Sequence, residues 1–330
     1  MEKNSIYKFI CCLILLIIYN KNYKQEFMEF PKNEFNVNIF ENNSHNNNII
    51  KKKKICICTF GKEENKYIRE FIQHYEKYGV DKIFLYDNND VKGERFENAI
   101  DDYIKNGFVE IIDWRGKKKA QLKIMNDCYK NNYDKYDWLI FYDIDEYIHL
   151  KHYTNIKYFL NEKKFCKCQL IYLNLIIHTD NNKLYYENKT LAERFPITVS
   201  KEKFAGSNLE IKFILKGHIP NIKIKNQHYC NKKLRNCNGF GEPNTNYYLY
   251  TYKPDYKYYY IDHYFSKSTE ELIEKILKGD CRYKKTIKLN KIERYFNQSE
   301  PTKEKIELIE KKLGFDLSNY RKQIYQYNPS

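Results

Sequence analysis

The chain has 330 residues, of which 42% are hydrophobic, enough for the core of one large α/β domain with appendages or of two small domains. This composition excludes a largely disordered protein. The formal net charge of +15 favours anionic partners such as nucleotides, nucleic acid or acidic membrane surfaces. However, the lysines are spread along the chain and no nucleic-acid-binding motif organises them, so we expect no nucleic-acid partner.

The N-terminal region carries a hydrophobic run from Phe9 to Tyr19 with lysines on both sides. The run is shorter than the roughly 20 residues that cross a bilayer comfortably, and it also matches the apolar part of a signal peptide. Because no small-x-small cleavage site follows, we predict a retained signal anchor over residues 1–20. The chain would then be a single-pass type II membrane protein facing the Golgi or endoplasmic reticulum lumen. Secretion after signal cleavage is the alternative.

The stretch 21–54 is rich in asparagine and lysine and is predicted to be a flexible stem. Ten cysteines occur in the chain, and none of the pairs has the two-residue spacing of a structural zinc site. Cys230 and Cys237 flank a polar loop and could form a disulfide in an oxidising lumen, although connectivity does not follow from sequence alone.

Strands and helices alternate through the first half of the ordered region. Hydrophobic periodicity predicts, in chain order, strand 55–59, helix 63–78, strand 82–87, helix 96–105, strand 108–112, helix 118–131 and strand 138–142. This alternation indicates βαβ crossovers and a mainly parallel sheet. In the less regular second half we predict strands 169–177 and 204–215, a glycine-bearing loop 236–243, and helices 270–278 and 302–313.

The strand that begins at Trp138 ends in three acids, Asp143, Asp145 and Glu146. If the chain stays extended, Asp143 and Asp145 project to the same side and can share one cation. Oxygen ligands at the end of a buried strand suit Mg²⁺ or Mn²⁺, which keep positions open for the phosphates of a substrate. The other interpretation is structural, because acids after strands are common in turns and helix caps.

Thr59 and Asp87 stand where the first two strands should end. Ligands bind at the carboxyl edge of parallel sheets, so these side chains and Asp143 should converge on one crevice. That convergence predicts a nucleotide site.

Several blocks, in order, resemble glycosyltransferase family 92 and related family 2-like GT-A enzymes. They are Gly61 to Val80, Leu85 to Asn88, Asp137 to Glu146, Glu193-Arg194-Phe195, and Asp262 to Ser268, and the likeness spans about Ile55 to Arg282. The resemblance implies an α/β GT-A fold, a mainly parallel mixed sheet flanked by helices. It also implies a UDP-linked sugar donor, a divalent metal, and transfer to a glycan acceptor with inversion. Family 92 relatives that transfer galactose suggest galactose as the transferred sugar.

The family pattern assigns roles to particular residues. Asp143 and Asp145 would hold the metal (Mn²⁺ or Mg²⁺) and the diphosphate, and Thr59 and Asp87 would face the nucleoside. His263 is the candidate for a third metal ligand, with a buried, hydrogen-bonded histidine as the alternative.

Further assignments concern the phosphate, the nucleobase and the acceptor. Lys267 could meet a phosphate, and Tyr264 could offer a stacking surface. Inversion needs a base for the acceptor hydroxyl, and the candidates are Glu193, Glu242 and Asp262. Glu146 would orient Asp143 or cap the following segment.

The predicted division of the chain is a catalytic domain over 55–290 and a helical tail over 291–330. Two other functions stay open: a sugar-phosphate nucleotidyltransferase, whose glycine-rich basic loop the segment after Thr59 matches poorly, and a non-catalytic glycan-binding protein with structural acids.

Overall fold

The structure is a computed structural model that describes residues 53–199, 210–228, 230, 234–243, 257–279 and 287–327. The predicted anchor over residues 1–20, and the stem up to residue 52, lie outside the described residues. Within the described ranges, no helix is both long and apolar enough to cross a bilayer.

The elements follow the predicted alternation of strands and helices. The strands are β1 (Ile55–Gly61), β2 (Lys82–Asp87), β3 (Val109–Asp113), β4 (Trp138–Ile140), β5 (Glu146–Leu150), β6 (Leu170–Ile177), β7 (Ile211–Lys216), β8 (Asn236–Cys237) and β9 (Tyr259–His263). The helices are α1 (Asn65–Lys77), α2 (Glu97–Lys105), α3 (Gln121–Asn132), α4 (Ile156–Asn161), α5 (Leu191–Arg194), α6 (Thr269–Leu277), α7 (Ile287–Gln298), α8 (Lys303–Leu313) and α9 (Ser318–Tyr327).

The strands form one mixed sheet in the order β3-β2-β1-β4-β7-β6-β9-β5, with β8 beside β6. Strands β3, β2, β1 and β4 are parallel, as are β6 and β9, whereas β7 and β5 run antiparallel to their neighbours. Consequently β7 and β5 begin at the edge where β1, β4 and β9 end. This edge, the carboxyl edge, brings the ends of β1, β4 and β9 close to the starts of β5 and β7.

Burial explains why these segments become strands and helices. Both faces of β1 are buried, with Ile55 and Ile57 in one apolar cluster and Cys56 in another. Helix α1 buries one stripe at helical spacing, as its sequence predicts. Gly79 ends this region in a left-handed conformation (φ +78°), where a Cβ would collide with Asn155.

Within the described residues two disulfides cross the fold, and neither joins Cys230 to Cys237, the pair that the sequence left open. Cys58 of β1 is bonded to Cys128 of α3, and Cys168 is bonded to Cys237 of β8. Cys230 is buried and free. Cys230 is near Cys237 in the sequence, but the pairing of β8 with β6 brings Cys237 to Cys168 instead.

Some predicted boundaries differ from the structure. Strand β4 ends at Ile140, two residues early, and the predicted loop 236–243 opens with β8. Strand β7 starts at Ile211; residues 204–209 of the predicted strand lie outside the described residues. The proposed division at 290/291 falls inside α7, whose Ile292 packs with Leu272 and Ile276 of α6. The tail and the end of the catalytic domain therefore share a small helical core.

Candidate active site

The three acids after β4 lie in a turn at the carboxyl edge rather than on an extended strand. The turn covers Ile144 and Asp145, and Glu146 begins β5. The backbone closes through Glu146 N, which donates to the Asp143 carbonyl at 3.0 Å. The premise that Asp143 and Asp145 share one face of a strand is thus wrong, and their carboxylates have different partners.

Asp143 and Glu146 are bridged by Lys212, the second residue of β7. The Lys212 Nζ lies 2.8 Å from Asp143 Oδ2 and 3.0 Å from Glu146 Oε1. Glu146 Oε2 also accepts a hydrogen bond from the Asp143 backbone N–H at 3.0 Å, and its role in orienting Asp143 stays a prediction. Glu146 and Lys212 are buried, whereas 34% of the Asp143 side chain is exposed. Asp143 is therefore the member of this triad that a ligand can reach.

Burial shifts the proton affinities in this triad. It raises the pKa of Glu146 to about 8, with Lys212 opposing the shift. Burial by itself would lower the pKa of Lys212, but Asp143 and Glu146 outweigh it and raise that pKa above its usual value. Lys212 is consequently a permanently charged, buried ammonium.

Asp145 faces three other groups. Its Oδ2 lies 3.2 Å from Lys275 Nζ and 3.6 Å from Lys267 Nζ, and its Oδ1 lies 3.7 Å from His263 Nε2. Burial alone would raise the pKa of Asp145, but the two lysines and the histidine hold it well below its usual value. Burial also keeps the pKa of His263 well below its usual value, so its imidazole is neutral.

The residues present fit a divalent cation. Ligand atoms of Asp145, Glu146 and His263 lie within 4.8 Å of one another. A neutral imidazole and carboxylate oxygens suit Mn²⁺, and His263 Nδ1 is buried without a hydrogen-bond partner. The group differs from the predicted one, because it includes Glu146 and not Asp143. The ligand roles of Asp143, Asp145 and His263 stay predictions.

A cavity of about 390 Å³ opens beside Asp145. Its walls include the lysines that contact Asp145, Lys267 and Lys275, together with Lys66 and Lys278. Lys267 has a left-handed backbone (φ +48°) and places its Nζ 4.2 Å above the ring centre of Tyr67. Cavities of this size accept small organic ligands. The same walls also carry Glu63, Glu64, Glu94, Glu271 and Glu274, so this cavity is lined by charges of both signs.

Thr59 and Asp87 lie near the carboxyl edge but are already enclosed. Thr59 is fully buried in β1, two residues before the strand ends, and its Oγ1 has no hydrogen-bond partner. Asp87 ends β2; its Oδ2 accepts two hydrogen bonds from Arg115, at 2.8 and 2.6 Å, and its Oδ1 accepts one from Asn89 N. Their contact with a nucleoside stays a prediction.

The candidate bases are not gathered around Asp145. Glu193 is exposed and forms the capping box of α5 with Thr190. Glu242 is exposed and accepts from the side chain of Asn238 at 2.9 Å. Asp262 lies one residue before His263 in β9, hence on the opposite face of the sheet, and its Oδ1 lies 2.8 Å from His178 Nε2.

Tyr264, the predicted stacking residue, is buried and stacks on the ring of His178 with a centroid distance of 4.3 Å.

The sequence did not predict that Lys212 and Lys275 contact the acids of the site. Lys212 did carry a signal, because a charged residue inside the apolar run Ile211 to Leu215 needs a buried partner. Lys275 carried none beyond the amphipathic pattern of α6.

Comparison with protein families decides the identity of the chain. The model of glycosyltransferase family 92 matches residues 51–299, well over half of the chain. The protein belongs to glycosyltransferase family 92. The predicted family is therefore confirmed, and with it the GT-A class of α/β fold, whose mainly parallel mixed sheet flanked by helices is the one observed.

Curated relatives carry the same family name. A glycosyltransferase family 92 protein of Oryza sativa subsp. japonica is 29% identical over 30% of this chain and 17% of its own length. A family 92 protein of Ricinus communis is 26% identical over 32% of this chain and 19% of its own length. The matched stretch thus spans less than a fifth of either relative.

Solved structures with a likeness to this family 92 chain share little sequence with it. S. aureus TarS in complex with UDP is 14% identical, with 81% of this chain and 73% of that chain covered and a TM-score of 0.34. A mannosyltransferase from Pyrobaculum calidifontis in complex with GDP-Man and Mn²⁺ is 6% identical, with 36% and 35% covered and a TM-score of 0.29. At these values neither likeness contributes to the assignment of a substrate.

Proposed function

We propose that this family 92 protein is a metal-dependent, inverting glycosyltransferase that moves a sugar from a UDP-sugar to a glycan acceptor, with galactose as the first sugar to test. The observation that carries the proposal is the setting of Asp145. Its carboxylate contacts Lys267, Lys275 and His263 beside a 390 Å³ cavity at the carboxyl edge of the sheet.

Sugar transfer requires stabilisation of the diphosphate that leaves, and positive charge placed before the reaction begins supplies it. Lys267 and Lys275 provide two ammonium groups at the cavity wall. A Mn²⁺ or Mg²⁺ ion held by Asp145, His263 and Glu146 would add a Lewis acid at the same place. The Asp143 side chain is 34% exposed and can accept a hydrogen bond from a hydroxyl of the donor.

The test is calorimetric titration of UDP into the protein with Mn²⁺ and then with a chelator. We expect Asp145→Asn to weaken UDP binding in Mn²⁺ by at least about tenfold, because the carboxylate that orders the cation and both lysines is lost. Glu274→Gln is the matched control, since Glu274 lines the same cavity but pairs with Lys66 at the surface. If the two variants bind UDP equally well, Asp145 is not part of the donor site.

We also propose the luminal, type II membrane topology predicted from the N-terminal run. The two disulfides support it, because disulfides persist in oxidising compartments. A C-terminal tag should resist protease in intact vesicles and be lost after detergent is added. Digestion of the tag in intact vesicles would exclude a luminal domain.

A further inference from the structure

The three acids of the site are contacted by an equal number of lysines. Asp143 and Glu146 share the ammonium of Lys212, and Asp145 contacts those of Lys267 and Lys275. Three acidic side chains therefore face three lysine side chains at this site, besides His263. Arg294 lies close enough to influence His263, but it is paired with Glu210 at 3.2 Å.

This balance has a consequence for cation binding. A divalent ion binds carboxylates that carry uncompensated negative charge, and here the ammonium groups of Lys267 and Lys275 already contact Asp145 Oδ2. A divalent ion that enters the cavity adds two positive charges to acids that lysines already contact, in a place with little solvent, which is unfavourable. A nucleoside diphosphate ester carries two negative charges on its phosphates, and these offset the excess while drawing the lysines away from Asp145.

We propose that Lys212, Lys267 and Lys275 act as resident cations of the donor site, so that a divalent metal ion is held tightly only together with a nucleoside diphosphate. The inference rests on the proposed donor and specifies how metal and nucleotide depend on each other. Coupling of this kind is reciprocal: the metal strengthens nucleotide binding by the factor by which the nucleotide strengthens metal binding.

Mn²⁺ titrations of the full-length protein, followed by electron paramagnetic resonance of free Mn²⁺, test the proposal without any measurement of activity. Mn²⁺ is titrated alone and with saturating UDP, and the association of Mn²⁺ with UDP in buffer is measured separately and subtracted. In the wild type we expect UDP to tighten Mn²⁺ binding by at least about tenfold.

Lys275→Met removes one resident cation from Asp145. We expect it to tighten the binding of Mn²⁺ alone by about tenfold and to reduce the effect of UDP. Lys275→Gln serves as a second variant, because its amide can still donate a hydrogen bond while its charge is lost. Lys66→Met is the matched control: it removes a lysine from the same cavity whose partner is the exposed Glu274, and Mn²⁺ binding should change less than about twofold.

Two results would overturn the inference alone. One is wild-type protein that binds UDP but holds Mn²⁺ equally well with and without it; the other is folded Lys275 variants whose affinity for Mn²⁺ is unchanged. Folded wild-type protein that binds no UDP under any condition would overturn the proposed function, and this inference with it.

Discussion

Lys212 is a buried lysine whose ammonium lies within 3.0 Å of two carboxylates. Removing one partner of a buried ion pair leaves an uncompensated charge, which typically costs about 3–5 kcal/mol. Because the pKa of Glu146 is raised to about 8, the full cost applies only where Glu146 is ionised. We expect Lys212→Met to lower the free energy of unfolding by this order in urea denaturation at about pH 9, and by less at about pH 7.

The companion variant is the double substitution Lys212→Met with Glu146→Gln. It replaces the buried pair by neutral groups of similar size, and Asp143 can be hydrated because it is partly exposed. The double variant should recover at least half of the lost stability, since the buried charge without a partner is gone. A single variant as stable as the wild type would mean that Lys212 is not an essential counter-ion.

At the scale of elements, hydrophobic periodicity correctly predicted the helices and strands that form where their sequence pattern and their packing agree. Helix α1 buries the apolar stripe expected of it, with Tyr67, Ile68, Phe71, Ile72 and Tyr75 all inside. Strands β1 to β3 and helices α2 and α3 also lie close to their predicted positions. In these segments hydrophobic periodicity and the packing of the sheet favour the same conformation, so sequence alone was sufficient.

The site depended on contacts that no local pattern contains. Strand β7 runs antiparallel to β4, and this direction brings Lys212 from the far half of the chain to Asp143. The pairing of β8 with β6 likewise selected Cys168 as the partner of Cys237. Strand direction and strand neighbours are set by tertiary packing. For this reason the sequence identified Asp143 and Asp145 as important but could not separate their partners.

The whole molecule carries a formal charge of +15 near neutrality, and protonation of its histidines adds to this charge as the pH falls. His74 links α1 to β5, because its Nε2–H donates to the carbonyl of Ile148 at 3.1 Å and its ring meets Tyr147 edge-on. Burial lowers the pKa of His74 to about 4, opposed by the nearby Asp262 and reinforced by Lys77 and His149. His74 is therefore neutral in the folded protein at pH values where the unfolded chain is protonated.

Between pH 6.5 and 4 the unfolded chain binds a proton at His74 that the folded chain does not. The free energy of unfolding must therefore fall as the pH drops through this window, by at most about 3 kcal/mol from this residue. His74→Gln keeps a donor for Ile148 and removes the titration, so it should lose less stability than the wild type between pH 7 and pH 4.5. Groups that titrate alike in both proteins, including Glu146 with its opposite sign, cancel in this comparison. The free energy of unfolding of both proteins is measured by urea denaturation at the two pH values. If the wild type and His74→Gln lose the same amount, then His74 titrates alike in the folded and unfolded chains, and the acid sensitivity of the fold arises from other groups.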